Sequence, residues 1–412
     1  MKKTLMVVLA LVIVCACFLT ACTEAPASTG GTAESSAPEE SSAAESAEPA
    51  GGASEAAGSG TGGQLLIGHN NILKGNYSVD ILENTIQATC DALDIELMVT
   101  NDETQVEKSV TNVDNMIAAG VDGLIFLGMS DTLFPVIAEK CEAANVPFAI
   151  VDHIPADDVA AQLQESPMYV GGAVTDDSVT GKTIGEYAAS QGCKKAIVVT
   201  ALNTDPTHIK RVEGFTEAFE AAGGEVLDVG WGEPTVDKAL TRANDLLTAH
   251  PDVDCVYGTN GDVASATIQA LEKHPEVNAK MFATDLDPAV LEGLESGVVA
   301  AANGAHWVGG DFAAELLINY LEGNPIKDAD GKAPLFKVSA AVLPSSLVDL
   351  YNQFWINSQP FSDEEMQAMV GPGVTYDTFN DAISGYTVES RLQAKVDAGL
   401  LTQEELDAAL AD

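Results

Sequence analysis

From residue 65 onward the chain alternates short apolar runs with longer amphipathic stretches. LLIGHN (65–70), IELMVTN (95–101), GLIFLGM (123–129), PFAIVDH (147–153) and PMYVGG (167–172) make one series of apolar runs. KAIVVTA (195–201), EVLDVGW (225–231), CVYGTN (255–260), KMFATD (280–285) and VVAAAN (298–303) make a second. Most are continuously apolar, as parallel strands covered on both faces must be. Between them apolar residues recur at helical spacing: Ile209, Val212, Phe215 and Phe219 mark one face of a helix over 207–222. Strand–helix repetition of this kind predicts an α/β fold of doubly wound parallel sheets.

The two series echo each other. Thr104 follows strand 95–101 and Thr235 follows strand 225–231, and after each comes a long helix and a Val-Asp pair (Val121-Asp122, Val253-Asp254) that leads into a strand. The offset is 131 residues from Thr104 to Thr235 and 132 from Val121 to Val253. Two similar α/β lobes in one chain account for it.

Polar residues collect where the apolar runs end: His69-Asn70, Asn101-Asp102, Asp152-His153, Asn260, Asp285 and Asn303. The carboxyl edge of an open α/β sheet is where ligands bind. Any one of these residues serves equally well as a helix N-cap. As a set, on two sheets facing across a cleft, their amides and carboxylates suit a polyhydroxylated ligand.

The amino terminus changes the setting. Lys2 and Lys3 precede a nearly unbroken apolar run, Leu5 to Leu19, which fits a secretory signal and falls short of the ~20 residues a membrane span needs. Leu19-Thr20-Ala21-Cys22 resembles the lipobox of bacterial lipoproteins. That resemblance implies cleavage before Cys22 and a lipid anchor on it; residues 1–21 are the signal peptide. Residues 23–63 hold Ala, Ser, Gly, Thr, Pro and Glu with no aromatic residue, Lys or Arg, and cannot bury enough apolar surface to fold. As a flexible coil this tether spans roughly 35 Å. A folded body is thereby expected just off the outer face of a bacterial membrane.

The net charge of −43 excludes a nucleic-acid partner, which needs a cationic surface. Cys90, Cys141, Cys193 and Cys255 read as small buried hydrophobes, with a Cys90–Cys141 bridge left open. No GxGxxG loop follows the first strand, and neither GxxxxGK[ST] nor HExxH occurs, so no enzyme, no cofactor and no metal are expected. His69, His153 and His306 lack any ligand spacing that would join them around a metal.

Several stretches together carry a resemblance to type I periplasmic sugar-binding proteins of the ribose and galactose kind. They are Val151-Asp152-His153 after a Pro147-led strand, Asp176-Asp177-Ser178-Val179-Thr180-Gly181 opening a helix, and Arg211-Val212-Glu213-Gly214-Phe215. Leu246 to Val253 before CVYGTNGD, and Phe282-Ala283-Thr284-Asp285, complete the set. The resemblance covers roughly residues 65–345. It implies two Rossmann-like lobes joined by a three-crossing hinge that close over a ligand. The lobes are expected at 64–175 with 304–336 and at 176–303 with 337–350.

By position, the resemblance makes Asp152, Arg211, Asn260 and Asp285 ligand-binding residues, with Tyr77 as a stacking ring. His153 stands where relatives often carry Arg. Asn70, Asn303, His306 and Trp231 are further candidates, and Trp307 is a ring of either rim or core. The implied function is that of an extracytoplasmic binding lipoprotein, a monomer that delivers a small sugar or polyol to the permease of an ATP-driven (ABC) importer. A surface sensor without transport is the alternative. Residues 351–412 lie beyond the resemblance. Ser362-Asp363-Glu364-Glu365 and Thr402-Gln403-Glu404-Glu405 read as capping boxes of short helices folded back on the lobes.

Overall fold

The computed structural model describes residues 64–232 and 235–411; the signal segment, Cys22 and the tether lie outside them. Each expected apolar run forms a strand. The first series gives β1 (Leu66–Asn71), β2 (Glu96–Asn101), β3 (Gly123–Leu127), β4 (Phe148–Asp152) and β5 (Tyr169–Thr175). The second gives β6 (Lys195–Thr200), β7 (Glu225–Trp231), β8 (Cys255–Gly258), β9 (Lys280–Thr284) and β10 (Val299–Gly304). Two more follow, β11 (Leu335–Val338) and β12 (Ala341–Pro344).

These strands make two 6-stranded sheets, ordered β11-β5-β4-β3-β1-β2 and β12-β10-β9-β8-β6-β7. The orders match position by position, so the sequence echo is a topological equivalence in which β4 corresponds to β9. Only the outer strands differ: β11 runs parallel to β5, β12 antiparallel to β10. The chain changes lobe three times, after β5, after β10 and between β11 and β12. Lys337 and Val338 pair with Val174 and Thr175, so the first lobe runs two residues past the expected boundary at 336.

Each sheet is apolar on both faces because neighbouring residues of a strand point opposite ways. In β3, Leu124 and Phe126 join one buried cluster while Ile125 and Leu127 join another. Cys90 and Cys141 belong to different clusters on opposite sides of the first sheet, and both are free, buried thiols. Cys193 and Cys255 are free, buried thiols as well, and Cys193 Sγ lies 3.7 Å from the Asp254 carbonyl.

The carboxy-terminal extension belongs to the packed body. Its helices are Asp363–Ala368, Tyr376–Ser384, Val388–Asp397 and Gln403–Ala411. Ser362 and Glu365 form the expected capping box, and Thr402 and Glu405 exchange the same two hydrogen bonds, at 2.9 and 3.2 Å. Toward the first lobe, Phe379 stacks on Phe336 of β11 (5.5 Å between ring centres), and Gln367 donates to the Ala92 carbonyl. Toward the second, Asn352 donates to Glu295. Between them the Tyr386 hydroxyl donates to the Ala305 carbonyl, 2.8 Å away, on the crossing after β10. Phe379, Tyr386, Leu392 and Leu406 are buried, each worth roughly 1.5–3 kcal/mol if exposed.

Candidate functional site

The site begins with a contact between two helices, Asp177–Ser190 and Pro206–Ala221. A Cβ on Gly181 would stand 2.0 Å from the Arg211 carbonyl oxygen, and one on Gly214 2.1 Å from that of Ser178. Glycine at both positions lets the backbones touch, and that contact sets Arg211 against Asp177. The glycines of the Thr180-Gly181 and Arg-x-x-Gly-Phe stretches therefore position the site.

Arg211 is buried. Its Nε donates to Asp177 Oδ1 at 2.9 Å and its Nη1 to the Thr259 carbonyl at 2.9 Å, while Nη1 lies 3.8 Å from Asp285 Oδ1. Burial works against the guanidinium charge, but Asp177 and then Asp285 outweigh it and hold the group protonated. Burial also pushes the Asp177 carboxyl up, opposed by Arg211. Behind them His208 bonds Thr259 Oγ1 at 2.9 Å; burial and then Arg211 push it down to about 4, so it supports the site as a neutral ring. Nη2 of Arg211 has no partner among the described residues, leaving donors for a ligand.

The opposite lobe brings Asp152. Asp152 and Asp285 end the equivalent strands β4 and β9, and both sit in the left-handed region, with φ of 62° and 72°. Aspartate tolerates that conformation better than most residues, and such outliers gather at functional sites. Asp152 Oδ1 accepts from Thr175 Oγ1 at 3.0 Å, and His306 Nε2 lies 3.9 Å from the same oxygen. The Asp152 side chain remains 36% exposed. Asp177 follows Thr175 by two residues on the crossing out of β5, so the Asp152–Thr175 bond sets Asp152 near the Arg211–Asp177 pair. Asp287, the N-cap before Pro288 on the second lobe, is pushed up to about 7 by burial and then by Asp285 and Asp262.

The remaining candidates divide clearly. Asn70 is fully buried and spent within its own lobe: its amide donates to Asp102 and Leu127 and accepts from Leu127. Asn303 is likewise buried, donating to the Thr180 carbonyl and accepting from Thr284. Neither amide is free for a ligand. The Asn260 side chain caps the helix Gly261–Lys273, accepting from Val263 N at 3.0 Å. His153 turns away from Asp152's partners, stacking on Phe134 and lying 3.7 Å from Asp131. Trp231 ends β7 at the sheet edge, in a shallow groove beside Leu202 and Arg242. Tyr77 opens the first helix, Tyr77–Ala92, edge-on to Trp307 at 6.1 Å. His69 bonds the Ile125 carbonyl, apart from His153 and His306. Among the described residues no group of three His, Cys, Asp or Glu is placed to hold a metal.

Asp177 and Asp287 were not among the candidates. Asp177 stands one residue inside the cap Asp176, and Asp287 precedes Pro288 as an N-cap, so both read in the sequence as helix starts.

Known proteins share this fold. A sequence profile described as periplasmic binding protein domain matches residues 67–325. A D-ribose/D-allose-binding protein of Pseudomonas aeruginosa is 26% identical over 46% of this chain and 59% of its own length. A ribose import binding protein of Salmonella typhimurium is 29% identical over 31% of this chain and 44% of its own. The chain thus spans about half the length of these curated relatives. In the structure of the periplasmic binding component of an arabinose ABC transporter from Shewanella sp. ANA-3, bound to L-arabinofuranose, the fold superposes with a TM-score of 0.59. That match has 19% identity and covers 70% of this chain and 94% of the other.

Proposed function

The chain belongs to the periplasmic binding protein domain family, and we propose that it captures a small sugar or polyol between its two lobes. This is a family of binding proteins, not of enzymes. The observation that carries the reading is the Arg211–Asp177–Asp285 cluster of the second lobe, near which the Asp152–Thr175 hydrogen bond holds Asp152 of the first. Ligand hydroxyls donate to Asp152 and Asp285 and accept from the free Nη2 of Arg211. Closure removes these groups from water, and a ligand favours the closed form only by its preference for it. A sugar lacking one matched hydroxyl leaves a buried acceptor unmet, at about 1–3 kcal/mol. That suffices to separate epimers.

The relatives' names support a ribose-like or related ligand and delivery to an importer. The reading adds a lipid on Cys22 and the tether to residue 63, which keep a monomeric capture module beside its permease on the outer membrane face. More than one acyl chain holds such a module durably. No helix among the described residues is long and apolar enough to cross a membrane.

A thermal-shift screen of pentoses, hexoses, polyols, amino sugars and nucleosides tests the ligand class, followed by calorimetry of hits on Arg211→Ala. Binding that survives this substitution sinks the site. Cys22→Ala should release the protein from membranes into the soluble fraction; retention on the membrane defeats the anchor.

A further inference from the structure

A cavity of about 230 Å³ lies beside the crossing after β10, walled by the first helix, by that crossing and by the extension. Four rings line it: Tyr77, Trp307, Tyr351 and Trp355. Tyr351 and Trp355 stack on each other at 5.1 Å, and Tyr77 meets Trp307 edge-on. No Asp, Glu, Lys, Arg or His is part of the wall, although the chain carries a net charge of −43. The polar groups are neutral. The Tyr351 hydroxyl makes no hydrogen bond among the described residues, although the residue is only 1% exposed, and the Gln359 and Asn84 amides are also unpaired there. Tyr351, Trp355 and Gln359 come from the extension, outside residues 67–325 matched by the family profile.

We propose that this cavity binds a planar, uncharged ring compound carrying hydrogen-bonding substituents. Aromatic walls favour a flat ring stacked or edge-on between them. A cavity of about 150 Å³ accepts benzene, so this one takes a substituted or fused ring. A charged ligand would find no partner in the wall and would lose its hydration. The ring arrives free, as a nucleobase does, or joined to a sugar, as in a nucleoside or aryl glycoside. His306, beside Trp307, approaches Asp152. The cavity thus adjoins the residues of the sugar reading without depending on that reading.

The chain has 3 tryptophans, and Trp307 and Trp355 both line the cavity, so its own fluorescence reports occupancy. The full-length protein is titrated with adenine, adenosine and phenyl β-D-glucoside. A saturable change in emission is expected, weakened about tenfold by Ser358→Phe, which fills the mouth with a ring. Gln359→Leu removes one polar partner and is expected to weaken binding about fivefold; it stands in if Ser358→Phe does not fold. Adenine that binds unchanged in Arg211→Ala identifies a separate site for free rings. Binding of the two glycosides alone, weakened by Arg211→Ala, identifies the end of the cleft that holds the non-sugar part. No saturable change with any of the three at millimolar concentration, or binding indifferent to both cavity variants, overturns the proposal.

Discussion

The two lobes share one strand order, yet their equivalent tips are held differently. At the end of β9, Asp285 lies against a buried arginine, its backbone N donates to the Asn303 carbonyl, and its Oδ2 accepts from Gly261 N. At the end of β4, the Asp152 side chain has one hydrogen bond, from Thr175, and is more than a third exposed. One jaw is therefore assembled before any ligand arrives, while the other keeps open valences that a ligand completes. Arg211 is part of the fold of its lobe; Asp152 is attached to a fold that stands without it.

The sharpest break of that contrast is Arg211→Ala. It strands Asp177 and Asp285 in a buried pocket, so denaturant unfolding should show a loss of about 3–5 kcal/mol together with loss of ligand binding. An Arg211→Ala protein of unchanged stability would mean the second jaw is not prebuilt. Gly214→Ala attacks the same jaw through its backbone contact with Ser178, and overpacking there should cost about 1–3 kcal/mol and weaken binding as Arg211 shifts from Asp177. Asp152→Ala should divide the two properties. Calorimetry should lose about tenfold or more in affinity, while the unfolding midpoint moves by less than about 1 kcal/mol.

The smallest effect is one of pH. Burial, Asp285 and Asp262 raise the Asp287 carboxyl from 3.8 to about 7. On the proposed hinge motion, opening lets water reach it and returns it to the ordinary carboxylate range. The closed form then holds its proton more tightly than the open one. No penalty applies below 3.8, where both forms are protonated; the penalty grows as pH rises toward 7 and is constant above that. Ligand affinity should fall across this window, and Asp287→Asn should flatten the profile measured by calorimetry at several pH values. A profile that rises with pH contradicts this role of Asp287.

Much of this was legible in the chain itself. Continuous apolar runs located the strands because both sheet faces are covered, and the capping boxes at Ser362 and Thr402 located helix starts because their hydrogen bonds are local. Arg211 and Asp285 were legible as candidates, and the structure sets them 3.8 Å apart. The reading failed where a side chain's partner depends on strand order. Asn70 ends a strand as Asp152 does, but β3 lies beside β1, and Leu127 takes both ends of its amide. Asn303 is consumed in the same way by Thr180 and Thr284. Trp231 lies apart because β7 is an edge strand, a fact of sheet order that nothing local in its sequence records.

The Tyr386 bond to Ala305 bears on time more than on affinity. Ala305 sits in the left-handed region, at φ 58°, on one of the three crossings whose torsions the proposed hinge motion turns. Tyr386 is rooted in an extension packed against both halves, so that rotation has to drag or unlatch a folded mass. On the proposed function, a brace of this kind lengthens the dwell in each state and slows the departure of cargo.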